Sequence, residues 1–390
     1  MRTINAGLQE QGCTKPMKLT IERTVLLKSL GHVQSVVERR NTIPILSNVL
    51  IQAAADGVRF TATDLDIEIV ETLEADVGRE GATTVPVHTL HDIVRKLPDG
   101  AQVTLDYDAN DERLTLQSAR SRFTLACLPK DDFPSITLGE LPHRFGLPAD
   151  DLARMIDKTR FAISNEEPRY YLNGIYLHVT ESDEGGGQVM RAVATDGHRL
   201  ARFEIPVPDG ADGMPGIIVP RKTVTEIRKL LDDAEGIVEV ALSETKIRFE
   251  LADAVLTSKL IDGTFPDYAR VIPKANDKLL EVEGKGFADA VDRVSTISAE
   301  KTRAVKLALS DGKLVLTVSN PDSGNATEEL AVSYGAEPME IGFNSKYLID
   351  ITGQLESDKA RILLADAGSP TVVRDGEDPR ALYVLMPMRV

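Results

Sequence analysis

Asp196 and His198, in the stretch ATDGHRLARFE at residues 194–204, have the types and spacing of an acid/base pair, with Arg199 beside them. A carboxylate that orients an imidazole serves proton transfer. Such a pair also needs a third group and a pocket, and the chain contains no GxSxG, HExxH, P-loop or paired CxxC motif. A second stretch, TATDLDIEIVE at residues 61–71, repeats Ala-Thr-Asp and runs into a similar alternating strand, with Leu65-Asp66 where Gly197-His198 stand. A tight turn on Asp196-Gly197 accounts for both copies, whereas an acid/base site at Asp196/His198 accounts for one.

Other chemistry-bearing residues are sparser. His88 and His91 are spaced i,i+3 beside Asp92, a spacing metal ligands use, but neither Cys13 nor Cys127 clusters with them. They read as a solvated helix face, and no metal or cofactor is expected. The three glycines of ESDEGGGQV (residues 181–189) are not followed by a helix start, so they read as a hairpin tip, not a phosphate cradle. RYYLNG (169–174) puts Arg beside two tyrosines, which suits a binding surface or a strand whose tyrosines cover a core. The apolar end YVLMPMRV (383–390) reads as a last core strand that also offers a groove, because methionines adapt to varied partners.

The elements that must position these residues recur. Ala62-Thr63-Asp64 and Ala194-Thr195-Asp196 are offset by 132 residues; Pro86 and Pro220, within TVPVHTLHDIVRKL and IVPRKTVTEIRKLL, by 134; Pro134 and Pro266, which end DDFP and GTFP, by 132. A fainter third copy runs through LEVEGKGFADAVDRVSTIS, MEIGFNSKYLIDITGQL and YVLMPM. Repetition at one spacing marks repeated structural units, placed here at 17–143, 144–274 and 275–390. Each has a short strand, an amphipathic helix, alternating strands, a second helix and more strands. The fold class is therefore α+β, with two helices and a largely antiparallel sheet per unit.

The chain has 390 residues, 42% apolar and 27% charged, enough for several cores. No apolar run reaches the roughly 20 residues that span a bilayer. Two cysteines, one in the polar stretch MRTINAGLQEQGCTKP (residues 1–16), suit a reducing cytoplasm. That leader has no apolar core region, is expected to be disordered, and gives way to structure at Met17. The net charge is −16, which argues against a simple nucleic-acid binder. Its distribution is uneven: the six expected helices (24–40, 88–97, 151–163, 221–231, 287–303 and 345–357) together carry +6, which leaves −22 elsewhere. Helices facing one surface would attract phosphate there while the rest repelled it.

RRNTIPILSNVLI, ATDLDIEI, SRFTLACLPKDDFP, RYYLNGIYL, VATDGHRLA, VPRKTVTEIRKLL, TSKLIDGTFPDYARVIPK, EIGFNSKYLID and YVLMPMRV, in this order from Met17 to Val390, resemble the bacterial replicative sliding clamp, the beta subunit of DNA polymerase III. The resemblance implies three clamp-type domains per chain and a head-to-tail homodimer closing a six-domain ring, with helices lining a central hole. It implies a non-catalytic processivity factor that encircles double-stranded DNA and tethers the polymerase catalytic subunit, the clamp loader and other proteins through short linear motifs, with no cofactor and no membrane. By matching position, the partner-peptide pocket would comprise Leu172, Thr195, Gly197, His198, Arg199 and Leu200 from the second unit, with Pro266, Arg270 and Val271 at its end. The third unit would add Asn344, Tyr347 and Val372, and the chain end Val384, Leu385, Met386, Pro387, Met388 and Arg389. DNA contact would fall to Arg40, Arg169, Tyr170, Tyr171, Arg221 and Lys222, although Glu166 and Glu167 put two carboxylates in a hairpin loop nearby. At the dimer interface Phe123 and Leu125 would pack on the helix containing Ile297, and Arg120 and Arg122 would face Glu328 and Glu329.

Overall fold

The computed structural model describes residues 16–183, 185–299 and 303–389; the leader with Cys13 (all but Pro16) and Val390 lie outside them. Six α-helices are present among the described residues: α1 (Arg23–Val36), α2 (Val87–Arg95), α3 (Ala149–Asp157), α4 (Arg221–Leu231), α5 (Gly284–Ser295) and α6 (Ser345–Thr352). They fall in pairs, two per sequence repeat. Each pair's first helix begins where an alternating strand ends. In Met17–Glu22 the apolar Met17, Leu19 and Ile21 point inward. Glu22 then caps α1 by accepting the Thr24 and Val25 N–H groups at 2.7 and 3.1 Å. Glu283 caps α5 the same way, through Lys285 and Gly286.

The strand pairings whose register is described are antiparallel. One five-stranded sheet has the spatial order Asp76–Arg79, Met17–Glu22, Gln102–Asp108, Arg113–Ser118, Ser121–Ala126. An eight-stranded sheet follows the order His143–Pro148, Ile237–Leu242, Lys246–Glu250, Ala254–Lys259, Ile67–Leu73, Gly57–Thr63, Asn48–Ala54, Gly81–Pro86. A second runs Ile217–Pro220, Gly174–Glu181, Gln188–Thr195, Arg199–Pro206, Ala381–Leu385, Thr371–Asp375, Lys359–Leu364, Lys278–Glu283. The last has four strands: Gly324–Ala331, Lys313–Asn320, Ala304–Ser310, Met339–Asn344. Each eight-stranded sheet thus joins strands of two successive repeats. By compactness the described residues form two units: those up to 144 with 225–259, and those of 145–224 with those from 260 onward. No described helix is long and apolar enough to cross a membrane.

Five of the six helices are shorter than their sequence patterns predict, and α4 keeps the expected bounds 221–231. α1 stops at Val36 because Val37 takes extended angles (φ −82°, ψ 121°), so Arg39 and Arg40 follow it as exposed loop. His88 fixes that end, its ring nitrogens lying 3.0 Å from the Val37 carbonyl and 3.3 Å from Gln34 Oε1. His88 and His91 are therefore half-buried, not a solvated face, and the described residues hold no metal-ligating cluster. Counted over the observed helices, the net charge falls from +6 to +3, with +2 on α1, +3 on α4, −2 on α3 and none on the others. The ESDEGGGQV stretch is a hairpin tip, with Glu181 paired to Gln188 and Gly185, Gly186 and Gly187 all at positive φ. RYYLNG is not a strand. Glu167–Leu172 forms a 3₁₀ turn, also in place of the expected hairpin loop, and the strand starts at Gly174.

Candidate partner-binding groove

The ATDGHR stretch is a turn fastened by its own side chains. Asp196 Oδ1 accepts the His198 and Arg199 N–H groups at 2.9 and 3.0 Å, and Thr195 Oγ1 accepts that of Gly197 at 3.1 Å while donating to the Arg199 carbonyl at 2.7 Å. In the first repeat Asp64 Oδ1 accepts from Asp66 and Ile67, and Thr63 Oγ1 bonds Leu65 N and Ile67 O. The third residue of each turn is left-handed, Gly197 at φ +86° and Leu65 at φ +80°. Asp196 Oδ2 is occupied by Arg199 Nε at 3.1 Å. Both carboxylate oxygens therefore serve the turn and Arg199, and Asp196 does not orient the His198 imidazole as an acid/base pair would need.

Arg199 connects this turn to α6. Its guanidinium reaches Asp350 Oδ2 at 2.5 Å and the Phe161 carbonyl at 2.6 Å, and lies 4.4 Å from the Tyr347 ring centroid. The His198 ring stacks near Tyr347 at 6.3 Å, with 22° between planes. Asp350 is one helical turn beyond Tyr347, on the face that meets Arg199. The sequence reading did not pick it out, although that spacing was a signal.

The chain end lies against the same turn. Strand Ala381–Leu385 pairs with Arg199–Pro206, and beyond it Met386 N–H donates to the His198 carbonyl at 2.9 Å and Met388 N–H to that of Gly342 at 2.8 Å. Beneath, Leu172, Leu200, Val372 and Val384 join Val193, Ile218, Phe265, Tyr268 and Leu382 in one buried apolar cluster, and Leu385 is fully buried. Pro266, Arg270, Val271, Met386 and Arg389 are exposed at the rim, and Pro387 and Met388 are half-buried. Asn344 also caps α6, its Oδ1 accepting Lys346 N–H at 3.0 Å. The rim residues Pro266–Val271 are anchored through Tyr268, whose hydroxyl accepts from Arg191 Nη1 at 2.9 Å and lies 2.9 Å from His178 Nε2. Burial, with the Arg191 cation beside it, pushes the His178 imidazole down to about 4. Neither Arg191 nor His178 was legible as a support from the sequence.

The first repeat has the same backbone joint without the apolar floor. Lys259 N–H donates to the Asp66 carbonyl at 2.8 Å, as Met386 does to His198. At the repeat offsets, however, Glu68 stands for Leu200, Thr61 for Val193 and Thr84 for Ile218. Glu68 is partly buried, which raises its pKa, and it accepts the Ile136 N–H at 3.3 Å. A polar floor of this kind gives apolar side chains little to bury.

Residues 17–137, 146–267 and 269–389 match the N-terminal, central and C-terminal domains of the DNA polymerase III beta subunit. A beta sliding clamp of Caulobacter vibrioides is 56% identical over 374 residues, spanning 96% of this chain and all of that protein. This chain belongs to the bacterial beta sliding clamp family. The beta sliding clamp of Escherichia coli is 40% identical over 377 residues, with 96% of this chain and all of its own covered. Among solved structures, a Bartonella birtlesii sliding clamp bound to griselimycin superposes with a TM-score of 0.93 at 52% identity, and a Caulobacter crescentus sliding clamp with 0.89 at 55%; each covers 96% of this chain and 100% of the other.

The other positions implied by the clamp resemblance have varied settings. Arg169 pairs with Glu166 at 3.0 Å and lies over the turn, where a side chain on Gly197 would come within 2.6 Å of its Nη1. Tyr170 is exposed and meets Tyr171 edge-on at 5.8 Å. Arg221 is turned inward, donating to the Ile163 carbonyl at 3.1 Å and to that of Ser164, and burial lowers its pKa. Lys222 is half-buried. Phe123 is exposed on the edge strand Ser121–Ala126, with Arg122 exposed and Leu125 half-buried on it, and Arg120 exposed just before it. Ile297 lies beyond α5, which ends at Ser295, so it does not belong to that helix as expected. Glu328 and Glu329 already have partners within the chain, Arg293 and Lys313, each at 2.5 Å.

Proposed function

We propose that this clamp is a non-catalytic processivity factor of cytoplasmic DNA replication. Two copies join head to tail into a ring around duplex DNA, and the ring tethers the polymerase and other clamp-binding proteins by short peptides held over the Leu200–Val384 floor. The observation that carries this reading is the run of three consecutive clamp domains from residue 17 to 389; the divisions at 143/144 and 274/275 are proposed from the repeat. The sheets support closure. Both eight-stranded sheets are shared between repeats, while Ser121–Ala126 and Gly324–Ala331 are left as open edges of the five- and four-stranded sheets. Open edges are pairing sites, and joining these two in each direction closes a ring of two chains. Glu328 and Glu329 would then exchange or share their partners with Arg120 and Arg122.

Charge favours holding DNA by topology. The helices carry only +3 per chain, and a protein neutralising Z phosphates shows a salt slope of about −0.9Z. Loaded protein should persist on closed circular duplex at moderate salt and be lost when the circle is cut. Tight, salt-steep binding to short linear duplex would refute encirclement.

A further inference from the structure

A cavity of about 300 Å³ lies in the first compact unit, between α1 and the chain that leaves α4. It belongs to neither the apolar groove nor the open sheet edges. Ser29 on α1 lines it, is 1% exposed, and its hydroxyl has no hydrogen-bond partner among the described residues. A serine inside a helix usually donates back to a carbonyl one turn earlier; this hydroxyl keeps its capacity for something in the cavity.

The walls select the chemistry. Glu71, Asp233, Glu235 and Asp253 line the cavity against two basic side chains, Lys28 and His32. Glu71 is 5% exposed, and among the described residues only its Oε1 has a partner, His32 Nδ1 at 2.5 Å. Asp233 is half-exposed and pairs with Lys28 at 3.2 Å, with His32 Nε2 at 3.7 Å. An excess of carboxylates rejects a phosphate or a carboxylate ligand. The mouth is apolar, with Val25 43% and Ile237 56% exposed, two of the few large apolar side chains left open to water. A wholly apolar ligand would leave Ser29 Oγ and the second Glu71 oxygen without partners.

We infer that this cavity binds an amphipathic cation: the guanidinium or ammonium of a basic residue, flanked by an apolar side chain, on a partner polypeptide. The cation donates to Glu71 and Asp233, one of its N–H groups meets Ser29 Oγ, and the neighbouring apolar side chain covers Val25 and Ile237. The volume suits one long side chain and part of a second.

The test uses the full chain and acetyl-Leu-Arg-Leu-amide, followed by calorimetry and by the methyl resonances of Val25 and Ile237. Acetyl-Leu-citrulline-Leu-amide is the neutral control and spermidine the free-amine control. The arginine peptide should bind at millimolar concentration or better and shift both methyls, and citrulline should weaken binding at least tenfold. Glu71→Gln should weaken it about tenfold and Ile237→Ser several-fold, with binding at the apolar groove unchanged. If Glu71→Gln does not fold, Asp233→Asn at the exposed wall takes its place. Equal binding of arginine and citrulline peptides, or unchanged affinity in the variants, overturns the proposal, as does a failure of the arginine peptide to bind. Spermidine binding as tightly as the peptide overturns the assignment to a partner polypeptide.

Discussion

Replacing Arg199 by Ala removes the side chain that holds the groove's turn to α6. Three interactions disappear: Nε to Asp196 at 3.1 Å, Nη1 to Asp350 at 2.5 Å and Nη2 to the Phe161 carbonyl at 2.6 Å. So do the stacking contacts of the guanidinium with Tyr347 and Phe161, at 4.4 and 5.1 Å. Breaking a buried ion pair costs about 3–5 kcal/mol because its partner is left charged and unpaired. Asp196 and Asp350 are partly open to water and regain some hydration, which places the loss near the bottom of that range, at about 3 kcal/mol. Arg199→Lys keeps the charge but not the fork that serves three acceptors at once, and should lose about half as much. Urea unfolding followed by far-ultraviolet circular dichroism measures both, and fluorescence anisotropy with a labelled peptide reads the groove. We expect peptide affinity to fall in parallel, because Tyr347, which the His198 ring stacks near, loses the cation that holds it. A loss below about 1 kcal/mol in Arg199→Ala, with full peptide binding, would show that Arg199 is a bystander.

Other expectations are more local. Met388→Ala and Arg270→Ala should each weaken a peptide with Leu and Phe anchors, Met388→Ala by about tenfold for roughly 1.4 kcal/mol of lost apolar contact, without altering dimer mass. Unchanged calorimetric constants in both would displace the groove. His178 is held neutral, with a folded-state pKa of about 4 against an ordinary value of 6.5. Because the unfolded chain takes up the proton first, its stabilising contribution is complete above pH 6.5 and is lost as pH falls from there toward 4. The slope of stability against pH over that window should flatten in His178→Gln. Gly174→Ala would bring a methyl within 2.2 Å of the Val219 carbonyl oxygen, on the neighbouring strand. The pairing of those strands must open, so the variant should lose more than about 2 kcal/mol of stability or fail to fold; a thermal midpoint near the parent's would count against this close approach.

Strand positions were legible because alternation is a property of neighbours in sequence, as Met17, Leu19 and Ile21 show. The pairing of helices within each repeat was legible for the same reason. Helix ends were not. Leu-rich periodicity carries α1 past Val36 on paper, whereas a histidine 51 residues away ends it. The same distance problem hid the supports of the groove: Arg199 and Asp350 are separated by 151 residues, and Arg191 and Tyr268 by 77. The Thr-Asp turn could be read directly because all its fastenings are local. The rim and floor positions came from likeness to the clamp family, and composition alone would have supplied none of them. The helix charge was overestimated because Lys96, Lys158 and Arg160 lie beyond the ends of α2 and α3 while Asp150 lies inside α3, which together outweigh the loss of Glu356 from α6.

The Thr-Asp turn also bears on how such a surface is inherited and altered. In both copies, hydroxyl and carboxylate bonds confined to five consecutive residues fix the backbone, and the side chains at the third and fourth positions are not needed to hold it. Leu65-Asp66 and Gly197-His198 are thus two fillings of one frame. A frame that carries its own fastenings can be grafted, and its outward pair can drift after a duplication without loss of fold. An engineer who wished to move partner recognition along the chain would leave the threonines and aspartates alone and rewrite Leu65, Asp66 and the polar floor at Thr61, Glu68 and Thr84.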